Sequence, residues 1–154
     1  MASHNATIRW SASPGEDFVR GKYSRAHSWL FDGGAVVPAS ASPHIVPAPW
    51  SDAAGVDPEE AFVASLASCH MLFFLDFARR SGVVVTSYED EAEGVMEKGA
   101  DGRTRITKVT LRPRIVFDAA VPDAAALDAL HHKAHEACFI ANSVTSEIVI
   151  EPQI

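Results

Sequence analysis

Residues 57–80, DPEEAFVASLASCHMLFFLDFARR, decide the fold, and they read as one long helix. Asp57 is placed to N-cap it, Pro58 suits the first helical position, and Glu60 completes a capping box. Glu59 and Glu60 complement the positive end of the helix dipole, and Gly82 stops the run after Arg79 and Arg80. Apolar residues fall on every face, so protein is expected to surround the helix on nearly all sides. A chain of 154 residues has little to spare for that, so a second subunit is expected to help cover it. The uncharged core of the run, Ala61 to Leu75, is short for a bilayer span and holds Ser65, Ser68, Cys69 and His70. A buried helix is therefore expected rather than a membrane helix.

Upstream, ATIRWSA (6–12) alternates as a strand does, and SRAHSWLFDGG (24–34) reads as a second strand ending in a glycine turn. From Val37 to Asp57 four prolines, many small residues and no Lys or Arg predict a long irregular loop. Downstream, VVVTSYEDEAEGVMEK (83–98) is expected to turn through GADG into RTRITKVTLRPRIVF (103–117), making two long strands. Glu89 and Glu91 then lie across from the Arg112 region, and Pro113 marks an edge or a bulge. VPDAAALDALHHKAHEACF (121–139) reads as a second helix with Leu127, Leu130, Ala134 and Cys138 on one buried stripe. VTSEIVIEP (144–152) closes the chain as a strand. The order of elements is α+β. Neither a repeat nor a linker divides the text, so one domain over residues 1–154 is expected.

Hydrophobic residues make up 47% and charged residues 21%, as in an ordinary globular protein. A net charge of -7 argues against nucleic acid or an anionic membrane as partner. The opening MASHNATIRW has no basic segment, apolar run or cleavage site of a secretory signal. With two cysteines, a reducing compartment, the cytoplasm, is expected.

Cys69 and Cys138 each lie in an apolar helical stripe, where an inert core thiol is the ordinary reading. The other reading is a redox pair, in which one thiolate attacks an O–O bond and the second thiol condenses with the sulfenic acid. A thiol in apolar surroundings is a poor nucleophile unless a cation offsets its burial. Cys69 is far from its helix N-terminus, so an arginine is required. Arg20 and Arg25 are the candidates, with Lys22 a weaker substitute.

DPEEAFVASLASCHMLFFL, with the later HHKAHEACFIANSVTSEIVIEP, resembles the OsmC/Ohr family of osmotically induced proteins and organic-hydroperoxide reductases, from about Arg25 to Pro152. The most specific likeness is a Pro-Glu pair opening the central helix with a cysteine ten residues after that Glu, here Pro58, Glu59 and Cys69. The family's second cysteine falls on Cys138. The resemblance implies an OsmC-like fold, antiparallel sheets around a long buried central helix, in an intertwined homodimer. It also implies reduction of organic hydroperoxides without metal or flavin, and regeneration by a dithiol, which in the family's best-known branch is a dihydrolipoyl protein. Of the two arginines it favours Arg25, seven residues ahead of Asp32, with Glu59 orienting it. A straight helix puts Glu59 ~15 Å from Cys69, so Glu59 would act through the arginine or from a second subunit.

His131 and His135 have the i,i+4 spacing of a metal clamp, but no Glu completes the pattern. Solvated surface histidines are expected there, and a satisfied buried histidine at His70. The rival functional reading is a non-catalytic module holding a small hydrophobic ligand, with both cysteines as packing residues.

Overall fold

The computed structural model describes residues 1–118 and 121–153. The chain forms two compact units, Met1–Ala61 and Phe62–Ile154. The fold is α+β, with two α-helices and mostly antiparallel sheets.

In the first unit β1 (Ala6–Arg9), β2 (His27–Phe31) and β3 (Val36–Ala39) form an antiparallel sheet with β2 in the middle. The turn between β2 and β3 takes Gly34 at φ +87°, and the Phe31 N–H donates to Ala35 O at 3.0 Å. That is the glycine turn the sequence predicts. The expected loop is shorter than predicted, because its first residues, Val37 to Ala39, complete an edge strand. Pro38 is tolerated there, since an edge leaves the missing N–H unneeded.

Helix α1 (Pro58–Arg80) starts in this unit and runs on through the second. Its capping box is formed: Glu60 N–H donates to Asp57 Oδ1 at 2.7 Å, and Asp57 N–H donates to Glu60 Oε2 at 3.1 Å. It ends at Gly82, φ +75°, with Arg79 and Arg80 both paired to Asp76.

In the second unit the two expected long strands are each cut in two. The elements are β4 (Val85–Asp90), β5 (Glu93–Lys98), β6 (Thr104–Leu111) and β7 (Pro113–Phe117). β5 and β6 form the hairpin through GADG, and β4 pairs with β7. The breaks fall together: the Arg112 N–H turns aside to donate to Asp90 Oδ1 at 2.6 Å, and Pro113 has no N–H to offer. Opposite charges do face each other across the ladder, but with other partners than expected: Glu89 lies opposite Arg114, and Glu93 rather than Glu91 is bonded to Arg112 at 2.7 Å. β8 (Glu147–Ile150) joins β6 in parallel, the one departure from an antiparallel pattern among the described strands.

Helix α2 (Ala124–Ala137) is N-capped by Asp123, whose Oδ1 accepts the Ala126 N–H at 2.8 Å. It ends at Ala137, short of the predicted stretch to Phe139, so Cys138 is its C-cap rather than a residue within the helix. A short 3-10 turn, η1 (Ala141–Ser143), follows.

Two apolar clusters hold this unit. Phe74 and Ala78 of α1 pack with Leu130 and Ala134 of α2, while Leu66 packs with Val109 and Leu111 of β6. β5 approaches α1 closely at Gly94, where an added Cβ would stand 2.6 Å from Val63 Cγ2. The expectation of an all-round buried helix fails within one chain. Only the i,i+4 stripe Leu66, His70, Phe74 and Ala78 is buried, and Leu72 is 62% exposed. By length and composition α1 could also cross a bilayer, yet that stripe packs on protein.

Candidate active site

The second unit brings Cys69 and Cys138 together. Cys69 sits midway along α1, half-buried; Cys138 caps α2 and is 1% exposed. Both thiols are free, and the Cys69 side chain is close enough to act on the Cys138 thiol. Burial first, and then the neighbouring Cys69 side chain, push the Cys138 thiol up to about 11. The Ala141 N–H, donating to Cys138 Sγ at 3.4 Å, works against the rise but does not cancel it. At neutral pH Cys138 therefore stays protonated and can offer S–H to its neighbour. The two sulfurs are unequal: one reaches solvent-filled space, the other does not.

Cys69 opens onto a cavity of about 520 Å³ walled chiefly by Leu72, Phe73, Phe139 and Ile140, with Ser65 and Ser68 at its side. Phe139, 72% exposed, meets Phe73 edge to face with centroids 5.0 Å apart. Such a cavity takes an apolar group up to the sulfur and gives little to a small polar molecule.

Arg25 and Glu59 belong to the first unit. Arg25 Nη1 donates to Gly21 O at 2.8 Å and to Tyr23 O at 2.5 Å. Its guanidinium carbon lies 3.7 Å from the Tyr23 ring centroid, a cation–π stack. Trp10, Phe18 and Tyr23 cluster around it, with Phe18 and Tyr23 centroids 4.5 Å apart. These contacts hold the guanidinium in one orientation beside a cavity of about 440 Å³ that Pro58 also lines. Glu59 is half-buried on the first turn of α1. Among the described residues the two form no ion pair, so the single chain does not bring Arg25 and Glu59 together.

The histidines differ from expectation. His131 is 4% exposed, not a surface residue, and its Nδ1 lies 3.0 Å from Nε2 of His70, which is 1% exposed. The two ring planes lie within 7° of each other with centroids 5.4 Å apart, and Phe74 packs against His131 at 4.5 Å. Burial holds both imidazoles down at about 4; repulsion from His131 and His135 adds to this for His70, whereas Asp128 opposes it for His131. Only His132 is a surface residue of the expected kind, 3.4 Å from Glu136. His131 Nδ1 is engaged with His70, while His131 Nε2 and His135 Nδ1 have no partner among the described residues. His70 is buried as expected, on the stripe that Leu66 and Phe74 mark four residues to either side, but its Nδ1 has no partner among the described residues.

A sequence profile described as OsmC-like protein matches residues 51–153. An OsmC-like protein of unknown function from Vibrio cholerae O1 biovar eltor is 51% identical and superposes with a TM-score of 0.97, over 99% of this chain and 100% of its own. The organic hydroperoxide resistance protein OhrB of Bacillus subtilis shares the fold at 20% identity, TM-score 0.70, over 99% and 98% of the two chains. YmaD, an uncharacterized protein of Bacillus subtilis (strain 168), is 25% identical over 99 residues. That match covers 63% of this chain and spans 65% of the relative's length.

Proposed function

The chain belongs to the family of OsmC-like proteins, and from that premise we propose that it is a thiol peroxidase for organic hydroperoxides. The observation that carries this reading is the unequal pair: Cys69 on an apolar cavity, backed by a buried, protonated Cys138. A packing role alone gives no reason for a free thiol on a cavity wall to have a second free thiol buried beside it.

In the proposed cycle Cys69, as thiolate, attacks the distal oxygen of ROOH. The O–O bond breaks, Cys69 becomes sulfenic acid, and the alkoxide leaves as ROH after taking a proton. The Cys138 thiol then attacks the sulfenic sulfur, forming the disulfide and releasing water. An external dithiol reduces that disulfide and is itself oxidised. Arg25 is the proposed positive group facing the thiolate and the departing alkoxide, with Glu59 orienting it. The fixed Tyr23 stack supports this, since a preoriented guanidinium has less to reorganise when charge develops.

A homodimer is proposed as the working form. The apolar surface left at Leu72 and Phe139 supports it, because exposure of large side chains around a cavity marks an interface or a ligand site. Sedimentation of the purified chain at micromolar concentration reads the state directly. A reducing compartment, the cytoplasm, is proposed because the cycle needs a dithiol.

The test is turnover of cumene hydroperoxide with dihydrolipoamide. Consumption by the unaltered chain, lost in Cys69→Ser, supports the reading. Absence of turnover, with cumene alcohol or fatty acids still binding the cavity, would favour the ligand-holding alternative.

A further inference from the structure

Beside the thiols lies a buried polar contact that the cycle does not use. We propose that the His70–His131 hydrogen bond is a positioning clamp that sets α1 against α2 in the register at which the Cys69 and Cys138 sulfurs meet. This rests on the two-thiol reading above, and it assigns a role to two residues outside the reacting atoms.

The geometry is as follows. His70 is the residue after Cys69, and His131 precedes Cys138 by seven residues, two turns of α2. The two helices are thus joined by the imidazole contact, and the place where Cys69 neighbours Cys138 lies about 10 Å further along α2. Between and around these points the contacts are apolar: Phe74 on His131, Phe73 on Phe139, and the cluster of Phe74, Ala78, Leu130 and Ala134. Apolar packing is non-directional and tolerates small slides. A 3.0 Å N···N contact does not, because one N–H must point along the lone pair of the other ring. The imidazole pair therefore fixes what the apolar cluster leaves loose.

Stability alone does not account for the pair. His70 Nδ1 and His131 Nε2 are buried without a partner among the described protein groups, as is His135 Nδ1. Two apolar side chains of similar shape would fill the space without orphaned nitrogens and at no net loss. Neither imidazole is among the groups that act on the Cys138 thiol, which are Cys69 and the backbone of Ala141 and Ile140. They are positioning residues, not catalytic ones.

The consequence concerns the closing step, Cys69–S–OH plus H–S–Cys138 giving Cys69–S–S–Cys138 plus water. A disulfide forms only within a narrow range of backbone separation, so a drift of the α2 C-cap slows closure and weakens the product.

The experiment equilibrates the full chain in reduced and oxidised glutathione at pH 7 and reads the oxidised fraction by intact mass after acid quench. From this comes the effective concentration of the two thiols. His131→Leu is expected to lower it about tenfold, the scale of one buried hydrogen bond whose partner is orphaned. His131→Asn, whose amide reaches the place of Nδ1, is expected to restore most of it. Should His131→Leu fail to fold, the double variant His70→Leu/His131→Leu, which leaves no orphaned imidazole, carries the same comparison. A folded variant with the unaltered effective concentration overturns the clamp. Peroxide plays no part in this readout, so an enzyme without turnover would sink the proposed function and leave the clamp to be judged by its own number.

Discussion

Cys138 is buried against Cys69, while Cys69 itself stays open to the cavity under Phe73 and Phe139. In the proposed cycle that asymmetry sets the order of events, because a hydroperoxide in the cavity would reach one sulfur and not the other. Cys69→Ser is expected to cut hydroperoxide turnover by at least about a thousandfold, the usual scale for a lost nucleophile. Cys138→Ser is expected to consume one equivalent of peroxide and stop as a sulfenic acid. Dimedone trapping with intact-mass analysis checks both, and a Cys138→Ser protein that turns over normally would remove the resolving role.

Arg25 spends Nη1 on the Gly21 and Tyr23 carbonyls and lays its plane on the Tyr23 ring. A lysine keeps the charge and loses both the fork and the stack, so Arg25→Lys is not a conservative change. It is expected to lower kcat/KM for cumene hydroperoxide by roughly a hundredfold, as removal of a charge-stabilising donor does. The same measurement on Arg20→Lys is expected to show no change, since Arg20 is an exposed residue paired with Asp17 at 3.5 Å. An Arg25→Lys enzyme of full activity would move the positive group elsewhere.

The buried imidazoles make stability depend on pH in a stated direction. Both are held down at about 4 against an ordinary 6.5, by burial foremost. The unfolded chain therefore binds more protons than the folded one between these values. Stability is fully present above pH 6.5 and is lost as the pH falls from 6.5 toward about 4. The groups around the pair are His135 and Asp128 on α2, with Tyr88 of β4 behind Phe74, and only Asp128 favours the charged form of His131. Urea unfolding at a series of pH values checks this, and His70→Leu/His131→Leu is expected to flatten the slope in that window. A slope unchanged in the double variant would assign the pH dependence to other groups.

Gly94 is where β5 passes under α1. A Cβ there meets Val63 Cγ2 at 2.6 Å and Ile106 Cγ2 at 3.4 Å, too close without a shift of either side chain or backbone. Gly94→Ala is expected to destabilise by about 1–3 kcal/mol, the usual cost of overpacking. Thermal unfolding reads it; a melting temperature equal to that of the unaltered chain would show that Val63 gives way freely.

Much of this was legible in the sequence because it is local. The capping box at Asp57 and Glu60, the glycine stop after Arg80 and the glycine turn after Phe31 are decided within a few residues by backbone chemistry. Strand content followed from alternation in the same way. That Glu89 faces a basic residue near Arg112 was also readable, since a hairpin maps sequence distance onto register, but the exact partner, Arg114, was not.

What failed was whatever depends on a distant neighbour. The two long strands were cut because Arg112 turns its N–H to Asp90, a contact over 22 residues that no periodicity announces. His131 was assigned to the surface because a helix wheel shows which residues share a face but not what packs there. His70 lies 61 positions away in the chain, and only the crossing of α1 on α2 makes the two rings neighbours. Sequence by itself thus determined the helix, its ends and the presence of a thiol on it. Tertiary packing alone decided that this thiol has a second sulfur beside it and that two histidines share a hydrogen bond out of water, because burial and long-range contact arise only when distant segments close on one another.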